Sequence, residues 1–98
     1  MESLFTRTKE EYNVEIRDPT DMTSAWRLVE ILEDKGWVIY IITARGRKQV
    51  DAWHQNFGSL FAQFGESPNF NSILEGICTV ALLVKELERA GSLSDGDI

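Results

Sequence analysis

The stretch IYIITARGRK, residues 39–48, sets an uncharged apolar run directly before a cluster of three cations. With Trp37 and Val38 in front of it, the run covers residues 37–43 and is apolar at almost every position. Such a segment is typical of a strand that is covered on both of its faces. We therefore predict a central β-strand over 37–43, around which the other elements are arranged.

Helices are predicted on both sides of this strand. Residues 21–35 carry an apolar stripe at helical spacing, and Gly36 is placed to end that helix. Beyond the cations, apolar residues at spacings of three and four predict a second helix over about 47–64. A third helix is predicted to begin near Ser67 or at the capping box of Ser72 and to run to about residue 90. Its apolar middle indicates burial on more than one side.

Two short strands are predicted before these helices, over about 3–7 and 12–17, the second because apolar and polar residues alternate in it. The resulting order β-β-α-β-α-α describes a small three-stranded sheet covered by helices, in the α/β or α+β class. If the strands at 12–17 and 37–43 are parallel neighbours, helix 21–35 is their right-handed crossover.

The chain length sets the number of domains. A chain of 98 residues corresponds to one domain. We place a single globular domain over residues 1–91 and a flexible acidic tail over residues 92–98.

Composition narrows the function classes. The net charge is -6, and the segment 35–48 holds four bases and no acid. A negative chain disfavours general nucleic-acid binding and membrane surfaces. The single cysteine excludes an internal disulfide and a cysteine-based metal site. The first residues lack a signal-peptide pattern, so we expect a cytoplasmic protein without cofactor or metal.

The residues of classical catalysis are sparse. His54 is the single histidine and lies beside apolar residues, so we expect a partly buried structural role for it. Cys78 lies in the apolar third helix and is expected in the core. With no nucleophile and base in an evident arrangement, the chain is predicted not to be an enzyme.

The cationic cluster is the first candidate contact site. Arg45, Arg47 and Lys48 follow the predicted strand and precede the predicted second helix. A strand end that leads into a helix N-terminus favours an anion, and arginine offers a forked donor to carboxylate or phosphate. The alternative is that these cations form surface ion pairs with acids of the same domain.

Two further surfaces point to protein partners. Trp26 lies close to Glu30 and Glu33 on the first predicted helix, whose exposed face also carries Asp34, and this pattern resembles an interface anchor rimmed by acids. The alternative is a Trp at the edge of the core beside a solvated acidic face. The segment 52–65 contains no charged residue, and charge depletion is a mark of interfaces. Self-association or docking is therefore predicted through the second and third helices, with these candidate residues: Gln55, Ser59, Leu82 and Leu83. The alternative is a neutral surface without a partner.

Three functions remain open at this point. The preferred one is a small acidic, non-enzymatic protein that binds a protein partner as an inhibitor, immunity-type protein or regulator, with acids that steer it to a basic partner or imitate nucleic acid. The second is an anion-binding or catalytic module that uses the 43–48 loop. The third is a subunit of a larger assembly or homo-oligomer, joined through its helices.

Overall fold

An antiparallel hairpin forms the centre of the fold in the computed structural model, which describes residues 3–18, 20–61 and 69–91. In chain order the elements are α1 (Leu4–Tyr12), α2 (Met22–Asp34), β1 (Trp37–Ala44), β2 (Arg47–His54), β3 (Gly58–Ser59) and α3 (Ile73–Arg89). The strands form one sheet in the order β1-β2-β3. The prediction of a small three-stranded sheet covered by helices, an α+β fold, is confirmed, although different segments supply the strands.

The turn Arg45-Gly46 reverses the chain after β1. Both residues have positive φ, 43° and 82°, as in a type I′ turn, whose twist matches that of two antiparallel strands. β2 therefore pairs with β1 along its whole length. The predicted helix over 47–64 is wrong for residues 47–59, which form β2, a turn and β3, whereas Leu60 and Phe61 are helical. Its last residues, 62–64, lie outside the described residues.

The position of β1 in the sheet also differs from the prediction. β1 lies at the edge and β2 lies in the centre, because the chain turns back directly instead of crossing over. Residues 12–17 supply no strand to the described sheet, so the parallel pairing of 12–17 with 37–43, for which helix 21–35 would be the crossover, does not form. β1 packs against α2 with alternate side chains, while Val38, Tyr40 and Ile42 stay exposed on the opposite face.

The N-terminal strands are replaced by a helix and an extended segment. Ser3 caps α1 by accepting a hydrogen bond from the Thr6 N–H, and the helix ends at Asn13 in the left-handed conformation. Residues 14–17 are extended but pair with no strand of the described sheet. The alternation of apolar and polar residues in this segment still matches its burial, because Val14 and Ile16 both lie in the core.

The predicted helices α2 and α3 are confirmed close to their expected bounds. Asp21 caps α2 by accepting from the Ser24 N–H, so the helix begins at Met22, one position beyond the start of the predicted span. Ser72 caps α3 by accepting from the Glu75 N–H, as the capping-box alternative predicted. α3 packs against α1, α2 and β2, which explains why its middle is apolar on more than one side.

α3 approaches the sheet closely at Gly76. A Cβ at this position would lie 2.5 Å from Val50 Cγ2 and 2.8 Å from Phe70 Cδ2. The absence of a side chain therefore sets the distance between α3 and β2. On the other side of α3, the Tyr12 hydroxyl of α1 donates to the Ala81 carbonyl at 2.5 Å, and the resulting burial raises the pKa of Tyr12.

Candidate interaction surfaces

The exposed face of α2 carries the first candidate surface. Trp26, Glu30 and Glu33 recur at intervals of four and three residues and so share one stripe. Trp26 is 51% exposed. Neither Glu30, Glu33 nor Asp34 makes an ion pair with a described residue. The structure thus places the four predicted partner-binding residues on the outside of one helix, with Asp34 at its C-terminal end.

The second surface is the sheet face that points away from the helices, called here the outer face. Its large apolar side chains are all 41–50% exposed: Val38, Tyr40, Ile42 and Trp53. Val38 lies directly opposite Trp53 in the strand register, so the side chains from β1 and β2 adjoin. The sequence analysis does not identify this face because it predicts that β1 is covered on both sides and that residues 47–64, which include Trp53, form a helix. The detectable signal was the alternation in β2, where Val50 and Ala52 point inward and Trp53 outward.

Asp51 is the acid of the outer face and has a structural role there. One carboxylate oxygen accepts from the Phe61 N–H at 3.2 Å, and the other accepts from the Ser59 hydroxyl at 2.6 Å. It also accepts from the Ala52 N–H. The carboxylate therefore holds the chain after β2 against the sheet and is occupied by protein donors.

The cationic turn, defined as Arg45, Arg47 and Lys48, lies at the tip of the hairpin. Arg45 and Arg47 are exposed and Lys48 is half-buried. None of the three makes an ion pair with a described residue. The turn leads into β2, so the helix N-terminus that was expected to favour an anion at this position is absent. The Lys48 N–H is used internally, by donation to Asn69 Oδ1 at 2.7 Å.

The residues predicted for self-association are not brought together on one helical face, since residues 47–54 form a strand. Gln55 is exposed in the turn after β2, and Ser59 lies in β3 bound to Asp51. Leu82 is 6% exposed and Leu83 is half-buried against the core. Within its described residues, 52–61, the uncharged segment thus contributes the end of β2, a turn, β3 and two helical residues.

The buried titratable groups have structural partners. His54 is buried on β2, where Nδ1 accepts from the Asn56 N–H and Nε2 donates to the Lys35 carbonyl, both at 3.1 Å. The sequence predicted a partly buried His54 on a helix, whereas the structure buries it on a strand. Cys78 is buried in α3, and burial raises the pKa of its thiol to about 11, so it is protonated and unreactive at neutral pH.

The described residues form neither a cluster of metal ligands nor a cleft with an unbalanced charge. No group of three His, Cys, Asp or Glu residues there converges as metal ligands would. A polar cleft of about 410 Å³ lies between the extended segment and α2, with Arg17, Arg27 and Asp21 in its wall. The Arg17 N–H and Ser24 lower the pKa of Asp21, so an ionised carboxylate offsets the cations.

The comparisons with known proteins give no relative. The chain matches no protein-family model, and neither characterised proteins nor solved structures give a significant match. Among the described helices, none has the length and apolar character needed to cross a bilayer. A functional hypothesis for this chain must therefore come from its own surfaces.

Proposed function

We propose that this protein is a small non-enzymatic binding module that docks on a basic surface of a partner protein through the exposed face of α2. The observation that supports it is Trp26, half exposed on a helix whose neighbouring acids have no ion pair with the described residues. It acts by occupying its partner's surface, as an inhibitor, immunity-type protein or regulator does.

The two components of this surface have different tasks. A Trp side chain supplies a large, rigid contact area, and truncation of such an anchor typically costs about 2 kcal/mol or more of binding energy. Glu30 and Glu33 flank Trp26 along the same stripe and supply complementarity to cations. Charges at the rim of an interface mainly raise the association rate and select the partner.

The charge of the whole chain favours the same partner chemistry. The net charge is -6, so a basic protein is attracted at long range and nucleic acid is repelled. Glu30, Glu33 and Asp34 of α2 make no ion pair with the described residues, whereas several acids elsewhere do. Glu11, for example, binds Arg89, and this lowers the pKa of the Glu11 carboxyl.

The test compares two charge reversals that change the net charge equally. The stripe variant combines Glu30→Lys with Glu33→Lys. The control variant combines Glu15→Lys, between α1 and α2, with Glu86→Lys, on α3, and both of these acids are exposed. The wild type is used to capture proteins from host extract, and those that the Trp26→Ala variant does not capture are purified. The rate at which each of them associates with the wild type and with the two variants is then measured. We expect the stripe variant to associate at least about tenfold more slowly at low salt and the control variant to stay near the wild type. Equal slowing by both variants would show that net charge, and not the α2 face, guides binding.

A further inference from the structure

The edge of β1 that faces away from β2 is uncharged and has no strand partner among the described residues. β1 spans residues 37–44 without a charged side chain, and its pairing uses one edge, towards β2. Of the described residues, none hydrogen-bonds to the other edge. A long, apolar edge of this kind is a ready template for another strand, and natural proteins usually protect it with charges, proline or a bulge.

The turn geometry fixes which residues present that edge. A two-residue type I′ turn closes on a hydrogen-bonded pair, here Ala44 and Arg47. Hydrogen-bonded and non-hydrogen-bonded pairs alternate along β1, so Ile39, Ile41 and Thr43 direct their N–H and C=O groups away from β2. These three residues are the donors and acceptors available to an added strand.

Charge complementarity identifies what is added. The cationic turn lies at the C-terminal end of β1 and has no ion pair with the described residues. Asp34 ends α2, three residues before β1 begins at Trp37, and makes no ion pair with the described residues. Acids in the last turn oppose the helix dipole, so they gain from a cation. The nearby cation, Lys35, is already bound to Glu88 at 2.8 Å.

We propose that two copies of this chain dimerise by antiparallel pairing of their β1 edges. Antiparallel pairing sets the cationic turn of each copy beside the acidic end of α2 of the other, and it does so twice in a symmetric dimer. With Ile41 of one copy opposite Ile41 of the other, Ile39 meets Thr43 on the inner side. The dimer is a six-stranded sheet with a continuous outer face.

This pairing uses the apolar side chains that the monomer leaves exposed. In the same register Tyr40 of one copy lies opposite Ile42 of the other, and both are 50% exposed in the single chain. Cross-strand pairs of aromatic and β-branched residues stabilise sheets. The predicted self-association surface of Leu82 and Leu83 takes no part, so the two modes of association are separable.

A charge-swap series tests the arrangement by sedimentation velocity or light scattering. The wild type is expected at twice its 11.2 kDa chain mass. Asp34→Arg sets like charges together at both contacts, as does Arg47→Glu, and each is expected to weaken dimerisation at least about tenfold. The double variant restores both attractions with its signs exchanged and is expected within about threefold of the wild type, as is an equimolar mixture of the two single variants.

Further variants separate the edge from other surfaces. Thr43→Pro removes one outward N–H, which an edge strand tolerates, and is expected to give a folded monomer, whereas Thr43→Val stays dimeric. Leu83→Lys is expected to leave the dimer intact. A wild-type mass of 11.2 kDa at millimolar concentration, or a double variant no better than the single ones, would overturn the proposal. Partner capture through Trp26 is a separate readout, so either proposal can fail alone.

Discussion

The two faces of the β1–β2 hairpin are built from the same kinds of residue and have opposite surroundings. On the inner face, Trp37 is 2% exposed and Val50 and Ala52 are fully buried beneath the helices. On the outer face, Tyr40 and Trp53 are about half exposed, at 50% and 41%. An apolar side chain on this hairpin is therefore buried or exposed according to which face the helices cover.

The difference between the two faces indicates that one face of the hairpin stabilises the fold and the other is available for binding. The inner face holds α2 and α3 to the sheet and so supports the fold. The outer face and the β1 edge contribute little to the fold of a single chain, and such apolar surface is usually retained for contact with another molecule. Substitutions on the two faces should then have different consequences.

The largest effect on stability is expected when a tryptophan is truncated to alanine on the inner face and compared with the same truncation on the outer face. Trp37→Ala should lower the free energy of unfolding by about 3–5 kcal/mol, as expected for a buried aromatic residue packed on His54 and Phe57. Trp53→Ala removes the same side chain from the outer face and should cost about 1–2 kcal/mol. Urea denaturation measures both. Equal costs would show that the outer face is as important to the fold as the inner one.

Asp51 is the outer-face residue for which a large effect on stability is expected. Asp51→Ala leaves the N–H of Phe61, a buried residue, without its acceptor, and an unsatisfied buried donor costs about 1–3 kcal/mol. Ser59→Ala removes a donor from the same carboxylate and should cost less, about 1 kcal/mol or below. Thermal denaturation of the two variants gives the ranking. If Ser59→Ala were the more damaging, the carboxylate would not be the centre of this network.

Gly76 tests how closely the inner face is packed. Gly76→Ala gains helix propensity of about 1 kcal/mol, but overpacking against Val50 and Phe70 should cost about 1–3 kcal/mol. We expect net destabilisation, with partial rescue by Val50→Ala, which removes the nearest atom. A double-mutant cycle measures the coupling. Purely additive effects would mean that α3 moves away from the sheet without resistance.

Sequence predicted the helices of this fold better than its strands, for a physical reason. α2 and α3 have local signals, since Asp21 and Ser72 cap them and their apolar stripes have one period. The hairpin depends on Arg45-Gly46, which lacks the Asn-Gly or Asp-Gly signature of a type I′ turn. Without that signature, apolar residues at spacings of three and four in β2 favoured a helix.

The candidate sites were predictable where they depend on one helix and not where they depend on the sheet. The stripe of Trp26, Glu30 and Glu33 follows from helical spacing alone. The outer face requires knowing that β1 and β2 pair and that both helices cover the same side. This information lies in contacts between distant residues, which periodicity does not report.

The smallest effect provides the sharpest comparison, because two adjacent isoleucines of β1 differ in little except the face they occupy. Ile42 is 50% exposed on the outer face, whereas Ile41 is packed against the core. Threonine keeps the β-branched shape that suits a strand. Ile42→Thr should therefore change the stability of the single chain by no more than about 0.5 kcal/mol, while Ile41→Thr, which places a hydroxyl towards the core, should cost about 1–2 kcal/mol. Urea denaturation below the concentration at which the chain associates isolates this effect. If Ile42→Thr proves the costlier of the two in that regime, the outer face is covered within the single chain, and the division of the hairpin into a folding face and a binding face is incorrect.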